Sequence, residues 1–314
     1  MANPISLQEF HARRINQVDG LPARLFAGSS VLTSPASSKN EIEEALGRAL
    51  DPGELPLHVL IRRSPGTRQT KAIARHHGMA TYPKGAFLKM GRHLFVSAPE
   101  LVFCQLAQHL PFGSLLALGY ELCGCYPIEG SGYQVRHPLT TPNRLAAFAQ
   151  QLRGAHGAVK ARKAARCVRA KSASPAETSM AALLTTPRAL GGLGLSQARL
   201  NDPVSLNADA ERIAQASALV CDIVWPDDKV AFEYDSAAYH GTGERVVKDS
   251  RRRSALAANG YVVRSITSGQ MANVFEFQET VVHAFRESGT YLRRMNAKQL
   301  EVHMRLRSEL KKGL

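Results

Sequence analysis

Apolar positions along the chain fall into two patterns: short β-type runs bounded by turn residues, and longer stretches at helical spacing. In the first half, Leu57 to Ile61 and Ala86 to Val96 read as strand segments among polar, Ser/Pro-rich and Gly-rich turns. Ser97-Ala98-Pro99-Glu100 then opens a helix, with Ser97 as cap and Pro99 and Glu100 in the first turn. Leu101, Phe103, Cys104, Leu106 and Ala107 form its largely apolar face. A second helix is expected from Leu115 to Cys123. After a Gly, Pro and Tyr loop from Cys125 to Pro138, a third starts near Pro142 and runs to about Leu152.

The second half predicts the order helix, hairpin, helix, strand, helix. Ser174-Pro175-Ala176-Glu177 is a cap signature, with Ser174 at the cap, Pro175 at the first helical position and Glu177 at the third. Val220 to Trp225 and Lys229 to Tyr234 are β-type runs, and Pro226-Asp227-Asp228 between them is a turn cluster that folds them into a hairpin. A helix from about Glu244 to Ala258 stops at Asn259-Gly260, Tyr261 to Ile266 reads as a strand, and Gln270 to Arg286 as a helix. In Tyr291 to Lys311, Leu292, Met295, Val302, Leu306 and Leu310 keep a helical period, which marks a packing or interface helix.

Length and charge set the frame for these elements. A chain of 314 residues with 44% hydrophobic content is long enough for two cores. The expected organisation is a mixed α/β N-terminal domain over 1–152, a basic linker over 153–172, a second α/β domain over 173–289 and a C-terminal helix over 290–314. A net charge of +14 and a pI near 9.9 imply an anionic partner, DNA or another nucleic acid being the usual one, with solubility accounting for part of the excess. Protein partners would engage the N-terminal domain or the C-terminal helix. The apolar runs are broken well before a membrane span and the first residues lack an apolar signal core, so no membrane partner and a cytoplasmic location are expected. The five cysteines fit neither a disulfide framework nor paired zinc spacing and read as buried thiols of a reducing compartment. From Arg153 to Lys171 there are seven Lys or Arg and no Asp or Glu. That block is either a solvated helix and linker or a phosphate-contacting surface.

The candidate chemistry concentrates in the twenty residues from Cys221 to His240. In a hairpin, Asp222 and Glu233 sit side by side, and Glu233 and Asp235 leave the same face of their strand. His240 follows the turn. Such a cluster suits a hard divalent cation, which takes one or two carboxylates plus substrate oxygens, polarises a phosphate and lowers the pKa of bound water. His240 would then move the proton, with Asp235 orienting its ring. Glu177 has two readings, as a capping residue or as a carboxylate reaching the same site from its helix. Lys248, Arg251, Arg252 and Arg253 on the helix after the hairpin are candidate nucleic-acid contacts, or an exposed basic face.

Ser174-Pro175-x-Glu177, Asp222 with Trp225-Pro226, Glu233-x-Asp235, Tyr239-His240 and Asp249-x-x-Arg252-x-x-x-Leu256-x-x-x-Gly260-Tyr261 occur in one order. Over about 173–287 the chain resembles the PD-(D/E)xK nucleases, specifically their very-short-patch-repair-like branch. The resemblance implies a restriction-endonuclease-like domain with a mixed central sheet flanked by helices. It also implies a Mg²⁺ or Mn²⁺ site on Asp222 and Glu233, with Glu177, Asp235 and His240 completing the catalytic set. The superfamily's lysine is missing, since Asp235 stands in its place, and Lys248 is the candidate to supply that charge. Ser236 replaces the branch's usual Gly. The N-terminal part, through Phe95-Val96-Ser97-Ala98-Pro99-Glu100-Leu101 and the helix after it, resembles the sensor-like domain of abortive-infection antitoxins, without a recognisable helix-turn-helix. Two functional classes follow: a metal-dependent DNA endonuclease acting in defence or repair, and a non-catalytic DNA-binding regulator or antitoxin built on a degenerate nuclease fold. An enzyme using paired carboxylates on a sugar would leave the basic blocks without a role.

Overall fold

The computed structural model describes residues 43, 57–61, 71, 73–77, 82–89, 95–126, 137–152, 154–235 and 243–313. The chain is mixed α/β and divides into two compact units that do not follow chain order. The first comprises Met1–Pro111 with Leu139–Arg166, the second Phe112–Pro138 with Cys167–Leu314. No described helix is long and apolar enough to cross a membrane.

In the first unit, β1 (Leu57–Ile61) and β2 (Ile73–His77) pair in parallel, and β3 (Phe87–Lys89) pairs antiparallel with β4 (Phe95–Ser97). The strand expected over Ala86 to Val96 is thus two short strands. Helix α1 (Pro99–Leu106) starts one residue later than expected: Ser97 is the last residue of β4, and the cap is Ala98, whose methyl group offers no acceptor. Helix α3 (Pro142–Gln151) packs on α1 and is capped by Thr141, whose hydroxyl accepts the Arg144 N–H at 3.3 Å. Glu100 is buried in this unit and satisfied by the Thr140 hydroxyl and by Arg144 Nε at 2.9 Å. Helix α4 (Ala158–Cys167) carries most of the basic block.

In the second unit, α2 (Phe112–Cys123) packs against α10 (Ala297–Gly313) and α5 (Pro175–Thr185). A Cβ on Gly113 would meet Glu309 Cβ at 2.6 Å, so only glycine permits this approach. Glu309 binds back, its carboxylate accepting the Gly113 N–H at 2.7 Å in the first turn of α2, where negative charge is favoured. Helix α10 starts at Ala297 rather than near Tyr291, with Asn296 and Gln299 exchanging side-chain-to-backbone bonds at 2.9 and 3.1 Å. Its buried residues His303, Leu306 and Leu310 make it an internal packing element.

The centre of this unit is a four-stranded mixed sheet in the order β5 (Arg199–Ser205), β6 (Ala218–Trp225), β7 (Val230–Asp235), β8 (Val262–Thr267), antiparallel except for the parallel β7–β8 pair. Helices flank it on both sides. Alternation places Ala231 and Phe232 of β7 on opposite faces. Ala231 packs with Val224, Leu256 of α7 (Gly243–Ala258) and Tyr261, together with Val204 and Ala210 of α6 (Ala208–Ala214). Phe232 packs with Trp225 and with Phe285 of α9 (Val274–Glu287), ring centroids 5.4 to 6.5 Å apart. All three rings are fully buried, each worth on the order of 2 kcal/mol or more of apolar transfer. Helix α7 ends as expected at Asn259-Gly260, Gly260 taking φ +81° while the Tyr261 N–H returns to Leu256 O at 2.9 Å. The single helix expected over Gln270 to Arg286 is instead α8 (Ser268–Ala272) and α9, because Thr267 and Gln270 form a capping box and Asn273 caps a second start.

Candidate active site

Strand register brings four residues into one row. Ile223, Val224 and Trp225 pair with Phe232, Ala231 and Val230, which makes Asp222 and Glu233 the next opposed positions. Leu200 pairs with Ile223 and Asp202 with Cys221, which sets Asn201 opposite Asp222, while Glu233 pairs with Ser265 of β8. The row is irregular where it matters. Asn201 has φ +45°, in the left-handed region. Strict alternation would place Cys221 on the face of Ile223 and Trp225, yet Cys221 packs in the cluster of Val224 and Ala231. The pleat of β6 therefore slips at Asp222.

At the slip, Asp222 Oδ2 accepts the backbone N–H of Tyr234 at 2.8 Å. Burial, and after it the nearby charges of Glu177 and Glu233, push its carboxyl up to about 6 against the pull of that N–H and of Arg252. Glu233 accepts from Arg252 Nε at 3.1 Å and from one Arg252 Nη, which also reaches Val220 O. This half-buried ion pair ties α7 to the two inner strands, β6 and β7. Burial, and then the charge of Glu233, push the neighbouring Cys221 thiol up to about 12, so it is a packed neutral thiol and no nucleophile.

Glu177 is a capping residue of its helix, and its carboxylate also lies near Asp222. Ser174 Oγ accepts the Glu177 N–H at 3.1 Å and donates to Oε1 at 3.0 Å, and Oε2 accepts the Ala173 N–H at 3.0 Å. That is capping. Oε2 also accepts Asn201 Nδ2 at 2.7 Å, and the carboxylate lies close enough to act on Asp222. Asn201 Nδ2 also donates to Lys171 O at 2.9 Å, where Lys171 itself has φ +69° and its ammonium meets Asp202 at 2.6 Å. Two non-glycine residues in the left-handed region are thus tied through one side chain to the helix carboxylate. Asn201 is the contributor that sequence reasoning missed. Its one available signal is an Asn-Asp-Pro run in an otherwise strand-like segment.

Of the sequence candidates, Glu177, Asp222 and Glu233 come together and Arg252 joins them. Asp235 is the exposed last residue of β7, in register with Thr267. Ser236, Tyr239 and His240 lie outside the described residues. Lys248, Arg251 and Arg253 are exposed along α7, Arg251 donating to Gln215 at 3.0 Å and Arg253 to Asp249 O at 3.5 Å. Among the described residues no group of three or more His, Cys, Asp and Glu is arranged to hold a metal ion. The residues that could ligate one are Asp222 and Glu233. Glu177 spends both oxygens on hydrogen bonds. No protein-family model, curated protein or solved structure matches this chain.

Proposed function

We propose that the second unit is a divalent-metal-dependent DNA endonuclease of the PD-(D/E)xK, very-short-patch-repair-like kind, with a restriction-endonuclease-like core. The observation that carries this reading is Asp222: a partly buried carboxyl, opposed to Glu233 and pressed by Glu177, at the point where the sheet's regular pairing fails. Glu177 and Glu233 both press on Asp222, and one guanidinium, that of Arg252, is paired with Glu233, so added positive charge at Asp222 is favourable; this fits Mg²⁺ or Mn²⁺ held by Asp222 and Glu233 with substrate oxygens completing the shell. When bound, the ion would neutralise the phosphate and supply a water of lowered pKa. Asp222 needs deprotonation to ligate, a condition met above its raised pKa. Arg252 orients Glu233 and places a fixed positive charge beside the substrate's position. Asn201 fixes Glu177. His240 and Asp235 take the proton-transfer role, and Lys248, Arg251 and Arg253 the backbone contacts.

The Arg252–Glu233 pair favours a second reading. A carboxylate already neutralised by a guanidinium is what a non-catalytic DNA-binding regulator on the same core would retain. Plasmid, single-stranded DNA and mismatched duplex incubated with the protein in Mg²⁺ or Mn²⁺, with and without chelator, separate the two. Chelator-sensitive strand breaks support the nuclease. Salt-sensitive binding to all three substrates with no break in any supports the regulator.

A further inference from the structure

We propose that the DNA backbone reaches the Asp222–Glu233 site from the β8 edge of the sheet, where the Ser265 hydroxyl donates to an oxygen of the reacting phosphate. DNA as the substrate rests on the nuclease reading of the second unit. Ala231 of β7 and Val263 of β8 are register partners that pack into one cluster with Leu256 of α7. Side chains repeat every second residue, so Glu233 and Ser265, the register pair two residues on, share that face. Neighbouring strands lie about 4.8 Å apart, a spacing that a phosphate held at Glu233 can span. The acids leave room for it. Both Arg252 nitrogens that bind Glu233 go to Oε1, and the Tyr234 N–H goes to Oδ2 of Asp222, so Glu233 Oε2 and Asp222 Oδ1 stay uncommitted among the described residues.

The side chains of α7 close the site on one side only. Arg252 turns toward β6, where it reaches Val220 O, and Arg251 reaches Gln215 at the end of α6. Both lean away from β8, the outer strand of the sheet, and Ser265 is exposed there between half-buried Arg264 and buried Ile266. The other polar groups of this edge are committed. Thr267, next on the same face, accepts the Gln270 N–H at 3.3 Å and donates to the Gln270 side chain at 3.2 Å, while Arg264 leaves the opposite face and pairs with Glu287 of α9. The Ser265 hydroxyl makes no hydrogen bond among the described residues. Its place separates it from an ordinary solvated serine. The row Asn201, Asp222, Glu233, Ser265 is polar on all four strands, whereas Leu200, Ile223 and Phe232 in the row before it are buried and apolar. A neutral donor at the end of that row can hold a phosphate oxygen without competing with a cation for the carboxylates.

The test compares the full chain as wild type, Ser265→Ala and Ser265→Thr. Duplex affinity is read by fluorescence anisotropy in Ca²⁺ over a range of salt, plasmid nicking in Mg²⁺ and Mn²⁺, and stability by urea unfolding. Loss of one hydrogen bond to a charged group should weaken duplex binding by the Ala variant about tenfold and lower its kcat/KM by about tenfold or more. The slope of log K against log salt should stay at the wild-type value, because a neutral hydroxyl releases no counterion, and the unfolding midpoint should not move. The Thr variant, which keeps the hydroxyl, should stay within about threefold of the wild type in both affinity and rate. An Ala variant with wild-type affinity overturns the proposal whether or not the wild type cuts DNA, and so does a loss that the Thr variant shares or that comes with a lowered unfolding midpoint. If the Ala variant binds more weakly and the Thr variant does not, while no protein nicks plasmid, the phosphate contact stands and only the hydrolytic reading of the second unit fails.

Discussion

The Asp222 carboxylate accepts the Tyr234 backbone N–H at 2.8 Å, replacing a strand-to-strand bond with a side-chain bond one step beyond the last regular pair of β6 and β7. This single substitution in the ladder places a charged group in a desolvated position between two other acids, and most of the account's consequences follow from it.

Asp222 gives the clearest pH signature. Its folded-state pKa, about 6, lies above the ordinary value of 3.8, so the fold favours the protonated form. The stability it contributes is full below the unfolded-state value and is lost as pH rises through about 6. Asp222→Asn, which keeps the acceptor for Tyr234, should therefore stabilise the protein at pH 8 by on the order of 2 kcal/mol. The gain should shrink as pH falls toward 4. Urea unfolding at several pH values checks this, and a gain independent of pH would contradict it.

His303 titrates in the opposite sense. Fully buried, it hydrogen-bonds Gly191 O through Nδ1 at 2.6 Å and accepts Arg307 Nε at Nε2 at 2.8 Å, which fixes it as a neutral ring. Burial and then Arg307 hold its pKa down at about 4. The stability it contributes is full above 6.5 and is lost as pH falls from there through about 4. Thermal unfolding of the wild type should show a loss on the order of 2 kcal/mol across that window, and His303→Gln should flatten the profile.

Arg252 joins α7 to Glu233 and to Val220 O, and its removal leaves a half-buried carboxylate unpaired. With side-chain exposures of 27% and 22%, solvent screens part of that cost. Arg252→Gln should lose about 1 to 2 kcal/mol, and Arg252→Lys should recover part, because one ammonium cannot reproduce two nitrogens on one oxygen. A loss within about 0.5 kcal/mol, the range of ordinary surface changes, would place the pair among energetically silent ones.

Asn201 separates backbone from side-chain effects. Asn201→Ala loses both bonds and strains a φ of +45°, at a cost of about 2 kcal/mol. Asn201→Gly loses the bonds without the strain and should be roughly 1 kcal/mol milder. Asn201→Asp sets a carboxylate against Glu177 and should be the worst of the three. Chemical denaturation ranks them, and Ala equal to Gly would remove the strain argument.

Local signals were legible wherever local chemistry decides structure. The Ser174 cap, the turn at Pro226-Asp227-Asp228, the Asn259-Gly260 stop and the opposition of Asp222 to Glu233 all follow from residue type and spacing. What depends on distant partners did not. Strand β5 contains Asn201, Asp202 and Pro203, which argue against a strand, yet β5 is an edge strand, where a missing N–H is tolerated. Helix α2 reads as the next element of the N-terminal part, but its partner is α10, nearly two hundred residues away. The role of Asn201 needs a left-handed residue to meet a helix cap from another element, a coincidence that no spacing rule contains.

The central claim is that Asp222 serves metal-dependent phosphodiester hydrolysis. Its most direct test is the nicking rate of supercoiled plasmid in Mg²⁺ and in Mn²⁺, wild type against Asp222→Asn, with the folding and duplex affinity of both proteins verified. The account predicts metal-dependent nicking that falls at least a hundredfold in the variant (~3 kcal/mol of lost transition-state stabilisation). Equal rates in the two proteins, or no cleavage by the wild type with either metal, would contradict it.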